Sequence, residues 1–204
     1  MSLPMFPLGS VVFPHSFLPL RIFEPRYRQL TRDCLAGARE FGVVLIDRGS
    51  EVGGGDQRSG LGTLVAIAEA QEAEDGQWAL LAVSTRRIRV LRWLEDDPYP
   101  RAEVAEVDEL PWDDRAEEAF VPAERAVRRS LALLAELDEP TAPFNIGLAD
   151  ERAAAAWQLA ALSPLGSLDR QRLLAIDDPA ARLGRLCELV LDECEVLTQR
   201  LAEG

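Results

Sequence analysis

Five prolines, Pro4, Pro7, Pro14, Pro19 and Pro25, stand within the first 25 residues. Each fixes φ and removes a backbone donor, so no long helix can begin there. The chain is forced to run extended along sheet edges and corners. Short apolar stretches then recur between turn signals, at residues 5–8, 11–13, 17–23, 41–46, 61–70, 78–83, 88–94 and 102–107. In the last, Ala102, Val104 and Val107 stand among acidic neighbours, the pattern of a half-buried strand. The run from Arg87 to Trp93 alternates better and predicts Ile88 and Val90 on one face with the arginines on the other. One helix interrupts these strands: Glu24 and Pro25 open it, Tyr27, Leu30, Cys34 and Leu35 form its apolar stripe, and Gly37 ends it.

From residue 113 onward the hydrophobic period changes from two to 3.6. Asp113 and Asp114 are placed to cap a helix reaching Leu137, with Pro122 as a kink or a break. Asp150 starts a second helix through Trp157 and Leu162, and Ser167 caps a short third. Asp178-Pro179 opens a long last helix in which Leu183, Leu186, Cys187, Val190, Leu191, Cys194, Leu197 and Leu201 make one apolar seam. That seam would serve a homodimer or an intramolecular bundle equally well. The expected fold is α+β, a β-rich barrel with one helix over residues 1–112 and a helical bundle over 113–204, joined by one continuous core.

A chain of 204 residues buries roughly 70 % of its unfolded surface, so it needs no metal or disulfide staple. Its three cysteines, an odd number without CxxC spacing, read as reduced buried thiols. No apolar run approaches the ~20 residues of a bilayer span, and the opening lacks the basic region of a signal peptide. The expected address is the cytoplasm, with no membrane partner. All 22 positive side chains are arginine. Without lysine, this sequence holds no phosphate-binding Walker lysine, no Schiff base and no Ser–Lys dyad. The net charge is −13, divided as +1 over residues 1–60 and −14 over the rest. Most of that surface repels a polyphosphate, so nucleic acid is not an expected partner.

The groups Leu3-Pro4-Met5-Phe6-Pro7-Leu8, Val11-Val12-Phe13-Pro14 and Leu18-Pro19-Leu20-Arg21-Ile22-Phe23-Glu24-Pro25-Arg26-Tyr27 resemble, in order and spacing, the opening of the Lon protease amino-terminal domain. Two further segments are similar to that family. One is Phe41-Gly42-Val43-Val44 followed by Gly60-Leu61-Gly62-Thr63. The other runs from Leu162-Ser163-Pro164 through Leu173-Leu174-Ala175-Ile176-Asp177-Asp178-Pro179 to Leu183. The resemblance implies a PUA-like pseudo-barrel followed by an α-helical part, and a role in selecting and holding protein substrates. In the family, separate domains hydrolyse ATP and cut peptide bonds. This sequence stops at Gly204 without a GxxxxGK[ST] loop or a serine with its lysine, so the expectation is a stand-alone, non-catalytic module.

Candidate sites are few. His15 and Ser16 are adjacent, and on an extended strand they point apart, so His15 is expected in a turn. One histidine and three scattered thiols do not make a zinc site; Cys187 and Cys194 read as core. Gly53-Gly54-Gly55 with Asp56, Gln57 and Arg58 precedes a strand rather than a helix, which suits an inter-strand loop better than a phosphate cradle. The paired acids sit at turns and helix starts, where they cap dipoles.

The cluster Arg21, Phe23, Glu24, Arg26, Tyr27 and Arg28 has two readings. Phe23 and Tyr27 pack the barrel against its helix while Glu24 pairs or caps; or Arg21, Phe23, Arg26 and Tyr27 rim a groove for an extended apolar peptide. The expected function is recognition of peptide or unfolded-protein segments without cofactor or metal, as an adaptor or regulator of proteolysis beside a protease acting in trans. The rival readings are a PUA-like RNA-binding protein and a stand-alone hydrolase.

Overall fold

The computed structural model describes residues 1–48 and 57–203. They form two compact units, Met1–Asp108 and Glu109–Gly204. The triglycine segment and Asp56 lie outside the described residues.

The first unit is a mixed six-stranded sheet with one helix. Its strands are β1 (Ser2–Leu8), β2 (Phe17–Ile22), β3 (Glu40–Arg48), β4 (Gln57–Glu72), β5 (Trp78–Trp93) and β6 (Arg101–Glu106), and α1 (Pro25–Ala36) lies between β2 and β3. The order is β2-β5-β4-β3-β1-β6, and a further β5–β6 pairing closes five of the strands into a barrel with β2 left outside it. Among the described residues only β1 and β3 run parallel. Residues Ser2–Pro4 of β1 pair with β6, whereas Met5–Leu8 pair with β3. Each half of β1 therefore has a ladder on one side only, which is how the strand accommodates Pro4 and Pro7.

Alternation along the strands feeds two cores. Leu3, Met5, Val44, Leu64, Ile88, Ala102 and Val104 fill the barrel. Phe6, Leu8, Phe41, Val43, Val65, Ile67, Leu80 and Ala82 pack on the other face against Tyr27, Leu30 and Cys34 of α1. The apolar stretches at 78–83 and 88–94 prove to be one strand. Where Leu64 pairs with Arg86 and Val65 with Ser84, Thr85 is left over as a bulge. One extra residue reverses the facing of everything beyond it, so Leu80 and Ala82 face α1 while Ile88 faces the barrel. The expected arginine face is corrected at Arg87, which is fully buried and donates through Nη2 to the Asp108 carbonyl at 3.5 Å. Residues 11–13 are buried without forming a strand.

The second unit contains α2 (Asp114–Glu136), α3 (Arg152–Leu162), α4 (Ser167–Leu174) and α5 (Pro179–Glu203). Asp113 accepts from the Ala116 N–H at 2.9 Å, and Pro122 sits inside α2 without splitting it. The start of α3 is capped by Glu151, which accepts from Ala153 and Ala154, rather than by Asp150. Gly166, not Ser167, occupies the cap position of α4. α2 and α5 pack along one another, burying Leu183, Leu186, Val190, Cys194 and Leu197 from the predicted seam. Leu191, however, is 42 % exposed and Cys187 only half-buried, because the seam is narrower than the full apolar stripe. Arg182 is buried in this unit, its guanidinium 3.5 Å from the Trp157 ring centroid and donating to the Ile176 carbonyl at 2.9 Å. Among the described residues no helix is long and apolar enough to cross a membrane.

The barrel wall is tight at Gly62, where an added Cβ would lie 2.0 Å from the Val43 carbonyl oxygen; at Gly60 it would meet nothing within 4 Å. Gly62→Ala is expected to lower the unfolding free energy by about 2 kcal/mol through overpacking. Gly60→Ala should stay within about 0.5 kcal/mol of the parent. Urea denaturation of the two variants checks this; equal stabilities would contradict the packing described.

Candidate functional site

Among the described residues β2 ends the strand order and pairs only with β5. The Ser84 N–H donates to the Ser16 carbonyl at 2.9 Å, so even-numbered positions of β2 carry the ladder and odd-numbered backbone groups face away from it. Pro19 falls in the second set, where its missing donor costs no ladder bond. Side chains alternate in the same way. Leu18, Leu20 and Ile22 turn toward the α1-side core, and Phe17, Pro19 and Arg21 turn outward, followed by Phe23. Phe17 is 73 % and Phe23 55 % exposed, unusual for the largest apolar side chains.

The same outward face continues across two more strands. Pro19 pairs with Leu81 and Leu81 with Glu69; Arg21 pairs with Ala79 and Ala79 with Gln71. A second bulge, at Ala68, sets this part of β4 so that Glu69 and Gln71 point outward while Ala70 packs inward. Ala68 on β4 and Ala79 on β5 present only methyl groups where the surface is hollow. One open cleft of about 690 Å³ lies over Ala68, Ala79 and Leu81 with Arg39 at its rim. A second of about 370 Å³ lies between Arg21, Gln71 and Trp78. Where β2 meets α1, a smaller cleft of about 100 Å³ reaches down between Leu20, Phe23 and Tyr27.

Of the four residues expected to rim a groove, two are open to solvent. Arg21 is exposed and donates through Nε to Gln77 Oε1 at 3.2 Å. Phe23 is not packed between barrel and helix. Tyr27 is: it is 4 % exposed and its ring stacks on Phe6 at 4.1 Å between centroids. Arg26 lies over the Tyr27 ring at 4.5 Å and pairs with Glu24 at 3.1 Å, with 19 % of its side chain exposed. The cluster thus divides into a structural half and an exposed half. Phe17, Pro19, Ala79 and Leu81 share this outward face and lie outside the expected cluster, although the i, i+2 spacing of Phe17, Pro19, Arg21 and Phe23 marks those four as one stripe.

The other candidates are absorbed by the fold. His15 is an exposed turn residue with φ of 58°. Ser16 Oγ donates to the Pro14 carbonyl at 3.5 Å, and Ser84 Oγ donates to that of Phe13 at 2.6 Å. Arg58, at the end of the triglycine segment, makes a bidentate pair with Asp96 at 3.1 and 2.7 Å and lies over the Trp93 ring at 4.9 Å. Burial pushes the Cys34 thiol up to about 12, far from the reactive thiolate range. Among the described residues no group of three His, Cys, Asp or Glu side chains is placed to hold a metal ion.

The division of the cluster is measurable. Tyr27→Ala is expected to cost about 3 kcal/mol of stability, the usual loss for a buried aromatic. Phe23→Ala should fall within about 0.5 kcal/mol of the parent. Thermal and urea unfolding of the two variants test this, and a comparable cost at Phe23 would place it in the core.

Comparison with known proteins agrees with this architecture. Residues 2–192 match the family model of the ATP-dependent protease La (LON) substrate-binding domain. Lon protease 1 of Myxococcus xanthus is 27 % identical over 97 % of this chain, and the match takes in 25 % of that protein. Lon protease of Desulfosudis oleivorans is 24 % identical over 96 % of this chain and 24 % of its own. The chain thus spans about a quarter of the length of these relatives. The crystal structure of a Lon N-terminal domain protein from Xanthomonas campestris superposes with a TM-score of 0.68 at 34 % identity, covering 91 % of this chain and 96 % of that one. The N-terminal domain of Mycobacterium avium complex Lon protease, 20 % identical, shares the fold with a TM-score of 0.64 over 94 % of this chain and 99 % of its own. The chain belongs to the Lon substrate-binding domain family.

Proposed function

We propose that this chain is a non-catalytic module that holds extended or unfolded polypeptide segments on the outer face of β2, β5 and β4. Its role would be that of an adaptor or regulator of proteolysis, presenting clients in the cytoplasm to a protease acting in trans. The observation that carries the reading is the exposed stripe Phe17, Pro19, Arg21 and Phe23 beside the hollow over Ala79 and Leu81. Unfolded segments differ from folded proteins in offering apolar side chains and free backbone groups. This face answers both needs: exposed aromatics for the side chains, and the outward N–H and C=O groups of Phe17 and Arg21 for the backbone. Family membership supports the same reading, since the family is defined by substrate binding.

No bond-making step is assigned to the chain. The serine hydroxyls nearest His15 donate to carbonyls, and the sequence holds no lysine to activate them. Aspartate at positions 17 and 23 should weaken binding of fluorescently labelled casein, an unfolded polypeptide, by about tenfold or more, the scale of losing two aromatic anchors. Fluorescence anisotropy measures this, with circular dichroism to verify that F17D/F23D remains folded. Undiminished affinity in the folded double variant would overturn the assignment of this face.

A further inference from the structure

Resting on that reading, the charges bordering the face narrow what can occupy it. On this unit Arg32, Arg58, Arg86 and Arg92 each pair with a carboxylate. Arg21 and Arg39 do not. Arg21 donates to Gln77 Oε1, and the nearby Asp75 carboxylate is taken by the Gln77 backbone and amide N–H groups at 3.0 and 2.8 Å. Arg39 donates only through Nε, to the Ile67 carbonyl at 3.2 Å. Its backbone has φ of 61°, a left-handed conformation in which glycine or asparagine is the ordinary residue. An arginine held there at the cleft rim, with most of its guanidinium donors unengaged, is ready to receive an acceptor.

We infer that the occupant of this face is an extended apolar segment flanked by carboxylates, one meeting Arg21 and the other Arg39. The spacing follows from the sheet. Arg39, leading into β3, aligns with Ile67, and Arg21 with Ala79 and Gln71, three ladder steps further along the sheet once the Ala68 bulge is allowed for and three strands across. At roughly 3.3 Å per residue and 4.8 Å per strand the two backbone positions lie about 17 Å apart, the reach of about five residues of extended chain. Glu69 lies between them on the same face and repels a carboxylate there, so the acids belong at the ends and the apolar side chains over Ala79 and Leu81.

The test uses a set of hexapeptides with four apolar residues flanked by glutamate, glutamine or arginine, plus an isomer with both glutamates in the centre. Anisotropy titrations on the full chain should rank the glutamate-flanked peptide about fivefold tighter than the glutamine-flanked one at low salt, the scale of two exposed ion pairs. The gap should close in Arg21→Gln and Arg39→Gln variants and shrink at high ionic strength. The net charge of −13 works against this preference, because the field of the whole molecule attracts the arginine-flanked peptide. Equal affinity for all flanks, or tighter binding of the arginine-flanked or centrally acidic peptide, overturns the carboxylate inference while leaving peptide binding intact. Absence of binding by every peptide overturns both.

Discussion

No residue of β4 pairs with Thr85 in the backbone ladder, and the first unit is organised around that irregularity. A strand without it would present Leu80, Ala82 and Ile88 to one side. With it, the first half of β5 lends its apolar side chains to the layer under α1 and the second half lends them to the barrel. The bulge is held rather than merely tolerated, since Thr85 Oγ1 donates to the Leu64 carbonyl at 3.2 Å. A single 16-residue strand can therefore close a barrel through β6 at one end and support the open edge strand β2 at the other. The second bulge, at Ala68, keeps β4 in step with this arrangement, and the hollow outer face follows from the two together.

These bulges also mark where the sequence stopped being legible. The helices were readable because their signals are local: Asp113 three residues before the Ala116 N–H, Pro179 in a first turn, and the 3.6 period of Leu183, Leu186, Val190, Cys194 and Leu197. Strand existence was readable for the same reason. Facing was not. Residues 78–83 are apolar throughout, so no alternation distinguishes Leu80, which is buried, from Leu81, which borders the cleft. Arg87 reads as a surface residue by chemistry and is buried by geometry, because one unpaired residue two positions earlier changed the parity.

The candidate cluster divides on the same distinction. Tyr27 and Phe23 are four apart, a helical spacing that suggests shared packing, but Phe23 precedes α1 and directly follows β2, continuing its period-two spacing. Reading it with the strand instead of the helix joins it to Phe17 and Pro19. Tyr27 then has a different task, filling the space against Phe6 that fixes where α1 begins.

This separation has a functional consequence. On β2 the side chains that hold the fold and those that face solvent occupy alternate positions of one strand, with Leu18, Leu20 and Ile22 anchoring what Phe17, Pro19 and Arg21 display. Substitution on the outward set leaves the inward contacts in place, so recognition can change without loss of stability. Pro19 adds a limit of its own. A strand laid against this edge finds N–H donors at Phe17 and Arg21 but none between them. That gap weakens continuous pairing with another sheet and so protects an apolar edge from self-association. On the binding reading proposed above, a segment held there would draw its affinity from side chains in the hollow and from its charged ends more than from an unbroken ladder.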